Sequence, residues 1–220
     1  MVSVSFIPDW FFPYGLFFGL AFAIITLAVS LYSFKVYRLS GQRQSKLFGA
    51  AFLFFSASYF IEFFLNLSIV SELNEKIISL IDFQDIITLT NLSMVVHMTL
   101  FTLGLITLFY MILGVKNKWI YSGLMLVSVL FLLLSANKII FFFILSSILL
   151  IIISIYYLRH AIKHKNSKSV LMVIAFFLLL FGHIHFIFSI NYEIEYALGS
   201  FLELASYILI LVNLLRVLKK

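Results

Sequence analysis

Seven apolar runs dominate this 220-residue sequence, and most of them are about 20 residues long. A run of that length crosses the ~30 Å hydrocarbon core of a bilayer as an α-helix. The composition agrees, because 64% of the residues are hydrophobic, 11% are charged and the mean hydropathy is +1.16. A soluble domain is about a quarter charged. The sequence therefore predicts an all-α polytopic membrane bundle. It excludes a soluble globular protein, a disordered chain and a collagen-like fibre.

The predicted bundle is a single domain of seven transmembrane helices that covers residues 1–220. The predicted spans are about 11–35, 47–70, 86–115, 119–134, 139–158, 170–190 and 196–217. The longest connection, residues 71–85, carries apolar residues at helical spacing among acids, which predicts an amphipathic segment on the outer interface. A plain amphipathic connection and a lid over an outward-facing pocket both fit this pattern, and the sequence favours the first.

The charges divide sharply between alternate loops. Thirteen of the fifteen lysines and arginines follow odd-numbered spans, whereas seven of the nine acids lie at the N-terminus or in the other loops. Basic loops face the cytoplasm. The sequence therefore predicts a multi-pass protein of the cell membrane, with its N-terminus outside and its C-terminus in the cytoplasm. The basic inner face predicts contact with anionic lipid, and no nucleic-acid partner is expected.

Five ionisable side chains lie inside the predicted spans, namely Glu62, His97, His183, His185 and Glu203. A charge at the centre of a bilayer costs about 3 kcal/mol or more, so such residues are candidate functional groups with expected partners. Counted along their helices, Glu62, His97, His183 and Glu203 fall in one layer of the outer half. His183 and His185 lie on nearly opposite faces of one helix, and depth favours His183 as the inward-facing residue, with His185 as the alternative.

Polar residues accompany these groups at helical spacing. The supporting residues are Ser58, Tyr59 and Asn66 in span 2, Ser93 in span 3 and Ser206 in span 7. Residues three or four apart share one helix face. Because a polar stripe facing lipid is costly, each stripe is expected to face the bundle interior.

A buried site of two glutamates and two histidines suits several chemistries. Imidazole and carboxylate ligands favour Zn, Fe, Mn or Cu(II), so the leading hypothesis is a metal- or small-ligand-binding membrane protein, either receptor-like or metal-handling. An intramembrane metal-dependent hydrolase would use the same ligands. The chain has no cysteine, which removes thiolate ligands and disulfides.

Three further interpretations stay open. Glutamate–histidine pairs within membranes are typical of proton relays, which predicts a proton- or ion-coupled transporter or transport subunit. His97 and His183 at matching depth could be the axial ligands of a b-type haem, although acids are unusual neighbours for that group. Finally, Glu62–His97 and Glu203–His183 could be hydrogen-bonded pairs that only fix helix packing.

In span number and orientation the sequence resembles seven-helix receptors and microbial rhodopsins. Its last span, YALGSFLELASYILILVNLLRV, contains no lysine for a retinal Schiff base, so no retinal is expected. The site is similar in chemistry to intramembrane zinc hydrolases of the adiponectin-receptor and ceramidase type. Those proteins carry an H-x3-H pair, whereas this chain has His183-x-His185, so their ligands are not transferred to it.

The chain also resembles, in span number and basic inner loops, the seven-helix membrane modules that precede some prokaryotic kinases. That resemblance implies a sensor, and a sensor of this length would act through a separate output partner. A transport subunit would likewise require a partner protein.

Overall fold

A computed structural model describes residues 10–74, 83–164, 167–189 and 192–218. Within these ranges the chain forms α-helices and no strand. The seven helices are α1 (Phe12–Ser40), α2 (Arg43–Asn74), α3 (Phe83–Leu113), α4 (Lys118–Leu134), α5 (Lys138–His164), α6 (Ser167–Phe188) and α7 (Glu193–Leu218). Each predicted span corresponds to one of them. Six are long and apolar enough to cross a membrane, and α4 is a shorter apolar helix of 17 residues. The chain is therefore a multi-pass, all-helical membrane protein.

Several helices run past the predicted spans, because backbone hydrogen bonding continues after the apolar residues end. The predicted outer segment shows this: its residues 71–74 belong to α2 and its residues 83–85 to α3, while 75–82 lie outside the described residues. The end of α1 has a local cause. Gly41 adopts φ 68° and donates its N–H to the carbonyl of Tyr37, which is the usual left-handed C-terminal cap.

Six helices form a closed ring in the order α1, α2, α3, α5, α6, α7 and back to α1. Helix α4 lies outside this ring and contacts α3 and α5 within the described part of the chain. Since α3 and α5 are adjacent in the ring and both run away from the same end of the bundle, α4 is the return connection between them. This arrangement leaves the interior of the ring to side chains from six helices.

The two ends of the bundle differ in charge. The basic end carries Arg38, Arg43 and Lys116, and the acidic end carries Glu193 and Glu195. We use these two names below.

A close crossing of α6 and α7 lies beside the candidate site. A Cβ built on Gly182 would lie 3.1 Å from the carbonyl oxygen of Gly199, and one built on Gly199 would lie 3.0 Å from that of Gly182. Small residues permit such an approach between membrane helices. His183 directly follows Gly182, and Glu203 lies one turn after Gly199, so this crossing sets the separation of two predicted site residues.

Arg43 holds the basic end together. Its Nη2 donates to the hydroxyl of Tyr110, at 2.7 Å, and to the carbonyl of Val115, at 2.9 Å. Tyr110 in turn donates to the carbonyl of Asn117, at 3.1 Å, and its ring stacks on that of Tyr121. The side chain that the sequence marked only as an inner charge therefore ties the start of α2 to the turn between α3 and α4.

Candidate functional site

Each of the four predicted residues lies on the acidic-end side of its helix midpoint. Glu62 is on α2, His97 on α3, His183 on α6 and Glu203 on α7. The structure divides them into an ion pair, a hydrogen-bonded cluster and one separate histidine.

The ion pair joins α2 to α3. His97 Nδ1 lies 2.9 Å from Glu62 Oε2, although the contact does not have the angle of a hydrogen bond. The side chains are 16% and 28% exposed respectively, so Glu62 is the more accessible end of the pair. The His97 ring also interacts with the backbone of Ser58, one turn before Glu62 on α2. Two adjacent turns of α2 therefore position this imidazole.

The hydrogen-bonded cluster consists of Tyr59, Glu203 and Tyr207, and we call it the tyrosine–glutamate cluster. Glu203 Oε1 accepts from the hydroxyl of Tyr59 at 2.5 Å and from that of Tyr207 at 3.0 Å. The two hydroxyl oxygens are 2.9 Å apart. Glu203 is 3% exposed and Tyr207 is completely buried. A carboxyl group in this position depends on these two phenols in place of water.

Tyr59 connects the cluster to the ion pair. Its ring centroid lies 5.3 Å from that of His97, while its hydroxyl reaches Glu203. Glu203 lies within electrostatic range of both His97 and Glu62. Glu62, His97 and Glu203, from α2, α3 and α7, therefore lie in one region of the bundle.

His183 faces the interior but joins neither group through a direct contact in the described residues. It is 2% exposed, and its Nδ1 lies 3.1 Å from the carbonyl of Leu179 in its own helix. The Phe101 ring lies 5.2 Å from the His183 ring and 5.8 Å from the His97 ring. One phenylalanine thus contacts both imidazoles.

His185 points elsewhere. Its side chain is 33% exposed and its Nδ1 contacts Glu195 Oε2 at the acidic end. On the same end, Trp10 Nε1 donates to Glu193 Oε2 at 3.1 Å, which joins the start of α1 to α7. Each of the two acids at the start of α7 thus has a partner at the acidic end. His185 belongs to these contacts and not to the group of four predicted site residues.

The supporting polar residues have different surroundings. Ser58 is buried and donates to the carbonyl of Phe55, so its hydroxyl is satisfied within α2. Asn66 is half-buried, one turn beyond Glu62. Ser93 and Ser206 are buried, and their hydroxyl oxygens have no hydrogen-bond partner among the described residues. Tyr59 is the supporting residue that contacts the predicted ionisable groups directly.

The metal and haem hypotheses concern these same ionisable residues. Across the described ranges, no group of three or more histidine, cysteine, aspartate or glutamate side chains is placed to hold a metal ion. The rings of Phe101 and Phe142 lie next to His97 and His183, the two histidines that the haem hypothesis names as axial ligands. Both hypotheses therefore remain predictions from the sequence.

Tyr207 is the site residue that the sequence analysis missed. It lies four residues after Glu203, so both side chains share one face of α7, and this spacing was visible in the sequence. Gly182 was also missed, because a single glycine before a histidine has no periodic signal.

Comparisons with protein-family models, with curated proteins and with solved structures found no match for this chain. What the fold and the site define is therefore a class: a multi-pass helical membrane protein with ionisable groups inside the bundle.

Proposed function

We propose that this protein couples proton uptake from the outer side of the cell membrane to transport, with Glu203 as the buried proton carrier. Glu62 and His97 give the proton access to Glu203. The observation that carries the proposal is the proximity of an accessible ion pair, Glu62–His97, to a buried carboxyl held by two phenols.

The orientation in this proposal has seven spans, an outer N-terminus and a cytoplasmic C-terminus. Two independent features support it. Lysines and arginines concentrate at one end, as cytoplasmic loops do. In addition, α4 begins at the basic end, next to the turn that Arg43 contacts, and leads to the start of α5, whose Phe142 lies beside His97 and His183 on the acidic-end side. A helix of 17 residues is about 25 Å long, at the lower limit for a span.

The chemistry of the residues supports proton handling. Imidazole accepts and donates protons near neutral pH, and a carboxyl group in a low-dielectric interior favours proton binding over ionisation. Glu62 is partly exposed, His97 contacts it, Tyr59 packs against His97, and Glu203 is buried. The order runs from the more exposed carboxyl to the buried one.

The membrane surroundings follow from the same orientation. The basic end would contact anionic lipid of the cytoplasmic leaflet. In the subunit version of this proposal, the chain would work with a separate transport partner.

The test is a charge-displacement measurement on proteoliposomes adsorbed to a solid-supported membrane. A rapid pH step drives protons into the bundle, so the wild-type protein gives a transient current without added solute. Glu203→Gln, which carries no exchangeable carboxyl proton, abolishes this current. The matched control is Glu193→Gln on the same helix, which retains it. A Glu203→Gln variant with the wild-type transient overturns the proposal.

Elemental analysis of the same preparations decides between this proposal and the metal hypothesis. A near-stoichiometric metal that is lost in His97→Ala would favour a metal site. A visible haem spectrum would favour the haem hypothesis, and either result would overturn the assignment of Glu203 as a simple proton carrier.

A further inference from the structure

The tyrosine–glutamate cluster bridges two helices that are not adjacent in the ring of the described structure. In the described part of the chain α2 and α7 have no backbone contact, and both pack on α1. Tyr59 of α2 nevertheless bonds to Glu203 and Tyr207 of α7. Phe22 of α1 packs on both tyrosine rings, at 5.1 Å and 5.8 Å, and closes the third side. The hydrogen bonds are therefore the polar link across this side of the ring.

Counting protons shows what the cluster requires. Three oxygen–oxygen contacts of 2.5–3.0 Å join Glu203 Oε1 and the two hydroxyls. Each phenol supplies one proton, so with an ionised Glu203 two protons serve three contacts. One pair of oxygens then faces each other with lone pairs only. A neutral Glu203 that carries its proton on Oε1 supplies the third: Glu203 donates to one phenol, that phenol donates to the other, and the second donates back to Oε1.

We propose that the proton on Glu203 controls the link between α2 and α7. With the proton bound, all three contacts are hydrogen bonds and Tyr59 holds α2 to α7. When the proton leaves, both phenols donate to the carboxylate, the contact between the hydroxyls of Tyr59 and Tyr207 loses its hydrogen, and these two hydroxyls separate while each stays bonded to Glu203. This inference rests on the proposed function and states how the same site is regulated.

Other groups facing Glu203 define the conditions of the switch. The titratable side chains around it are Tyr59 and Glu62 from α2, His97 from α3, and Tyr196 and Tyr207 from α7, and His183 of α6 lies within electrostatic range of His97. From α1 the ring facing the cluster is the unionisable Phe22. Glu62 repels an ionised Glu203, whereas a protonated His97 attracts it, so the ion pair biases the switch without forming part of the link.

The expected motion is modest, because α1 packs on both helices and stays as the hinge. Shifts of about 1–2 Å are usual for packed helices that change partners. A probe of local environment therefore suits the test better than a long-range distance. The absence of cysteine from the sequence allows a single tag to be placed cleanly.

The experiment is fluorine NMR of a trifluoromethyl tag on Leu67→Cys, an exposed position two turns beyond Tyr59 on α2. Spectra are recorded in lipid nanodiscs from about pH 5 to about pH 9, a range in which buried carboxyl groups titrate. With Glu203 as the native residue, two resonances exchange intensity as the pH rises. In Glu203→Gln the neutral amide donates a hydrogen bond at every pH, as the protonated carboxyl group does. The low-pH resonance is therefore retained throughout. Tyr207→Phe removes one of the two hydroxyl groups of the cluster, so the resonance stays at the high-pH position.

The matched control is Tyr157→Phe, a half-buried tyrosine whose ring stacks on Phe176 away from the cluster. It leaves the pH dependence unchanged. If Tyr207→Phe does not fold, Tyr59→Phe removes the other phenol and makes the same prediction. A wild-type spectrum that is constant over this range, or a Glu203→Gln variant that still titrates, overturns the inference. If the transient current is lost in Glu203→Gln while the spectrum stays constant, the proposed function stands and the switch alone fails.

Discussion

The hydroxyl oxygens of Tyr59 and Tyr207 lie 2.9 Å apart, although their helices are not neighbours in the ring of the described structure. Both hydroxyls also contact Glu203 Oε1. These contacts show that the two intramembrane acids, Glu62 and Glu203, have different partners. Glu203 is partnered by phenols and Glu62 by imidazole, so the two carboxyl groups occupy different chemical environments within one region of the bundle.

A double-mutant cycle tests the division of the predicted residues. Glu62→Gln and His97→Gln each remove one member of the ion pair, so their effects on the free energy of unfolding are expected to be coupled by about 0.5–2 kcal/mol. The control cycle combines Glu62→Gln with His183→Gln, whose imidazole bonds within its own helix. We expect less than about 0.5 kcal/mol of coupling there. Unfolding is followed by denaturant titration in mixed micelles. Equal coupling in both cycles would contradict the division.

Gly199→Ala tests the close crossing of α6 and α7. The added methyl group would lie 2.9 Å from the Phe186 ring and 3.0 Å from the carbonyl of Gly182, so the helices must separate. We expect a loss of about 1–3 kcal/mol in the free energy of unfolding, as overpacked sites show. The control is Gly123→Ala on α4, where a methyl group meets nothing within 4 Å of the described structure and causes no loss. Equal melting temperatures for the two variants would show that the crossing is looser than described.

Arg43→Lys tests the connection at the basic end. Lysine keeps the charge, but its side chain is shorter and has no planar guanidinium to lie over the Tyr110 ring, so the bonds to the Tyr110 hydroxyl and the Val115 carbonyl are weakened. The expected cost is about 0.5–1.5 kcal/mol, since the site is partly exposed. Arg38→Lys, at an exposed position of the same end, should be neutral. Amide hydrogen exchange of residues 110–117 provides the local readout. Unchanged exchange in Arg43→Lys would show that Arg43 does not hold this turn to the start of α2.

Membrane topology is tested with single cysteines. Lys116→Cys lies in the turn before α4 and Ala136→Cys in the turn after it, and both positions are exposed. Seven spans place these turns on opposite sides of the membrane. We expect a membrane-impermeant thiol reagent to label intact cells at Ala136→Cys and to require permeabilised cells for Lys116→Cys. Labelling of both in intact cells would mean that α4 does not cross.

The sequence by itself determined the helices and the class of protein. Apolar runs near 20 residues have few alternatives, because a chain in hydrocarbon must satisfy its backbone hydrogen bonds within each helix. The helical spacing of polar residues also indicated that Tyr59 lies near the line of Ser58 and Glu62. These are local properties, since the period of a helix connects residues three and four apart.

Only the tertiary structure decided which helices meet and which side chains become partners. The sequence analysis considered Glu203 with His183, whereas Glu203 bonds to Tyr59 and Tyr207, and His183 bonds to Leu179. Helix α4 lies outside the ring, which no periodicity indicates. The physical reason is that such pairings depend on crossing points such as Gly182 and Gly199. Their close approach joins residues from separate helices, and the pattern within either helix does not specify it.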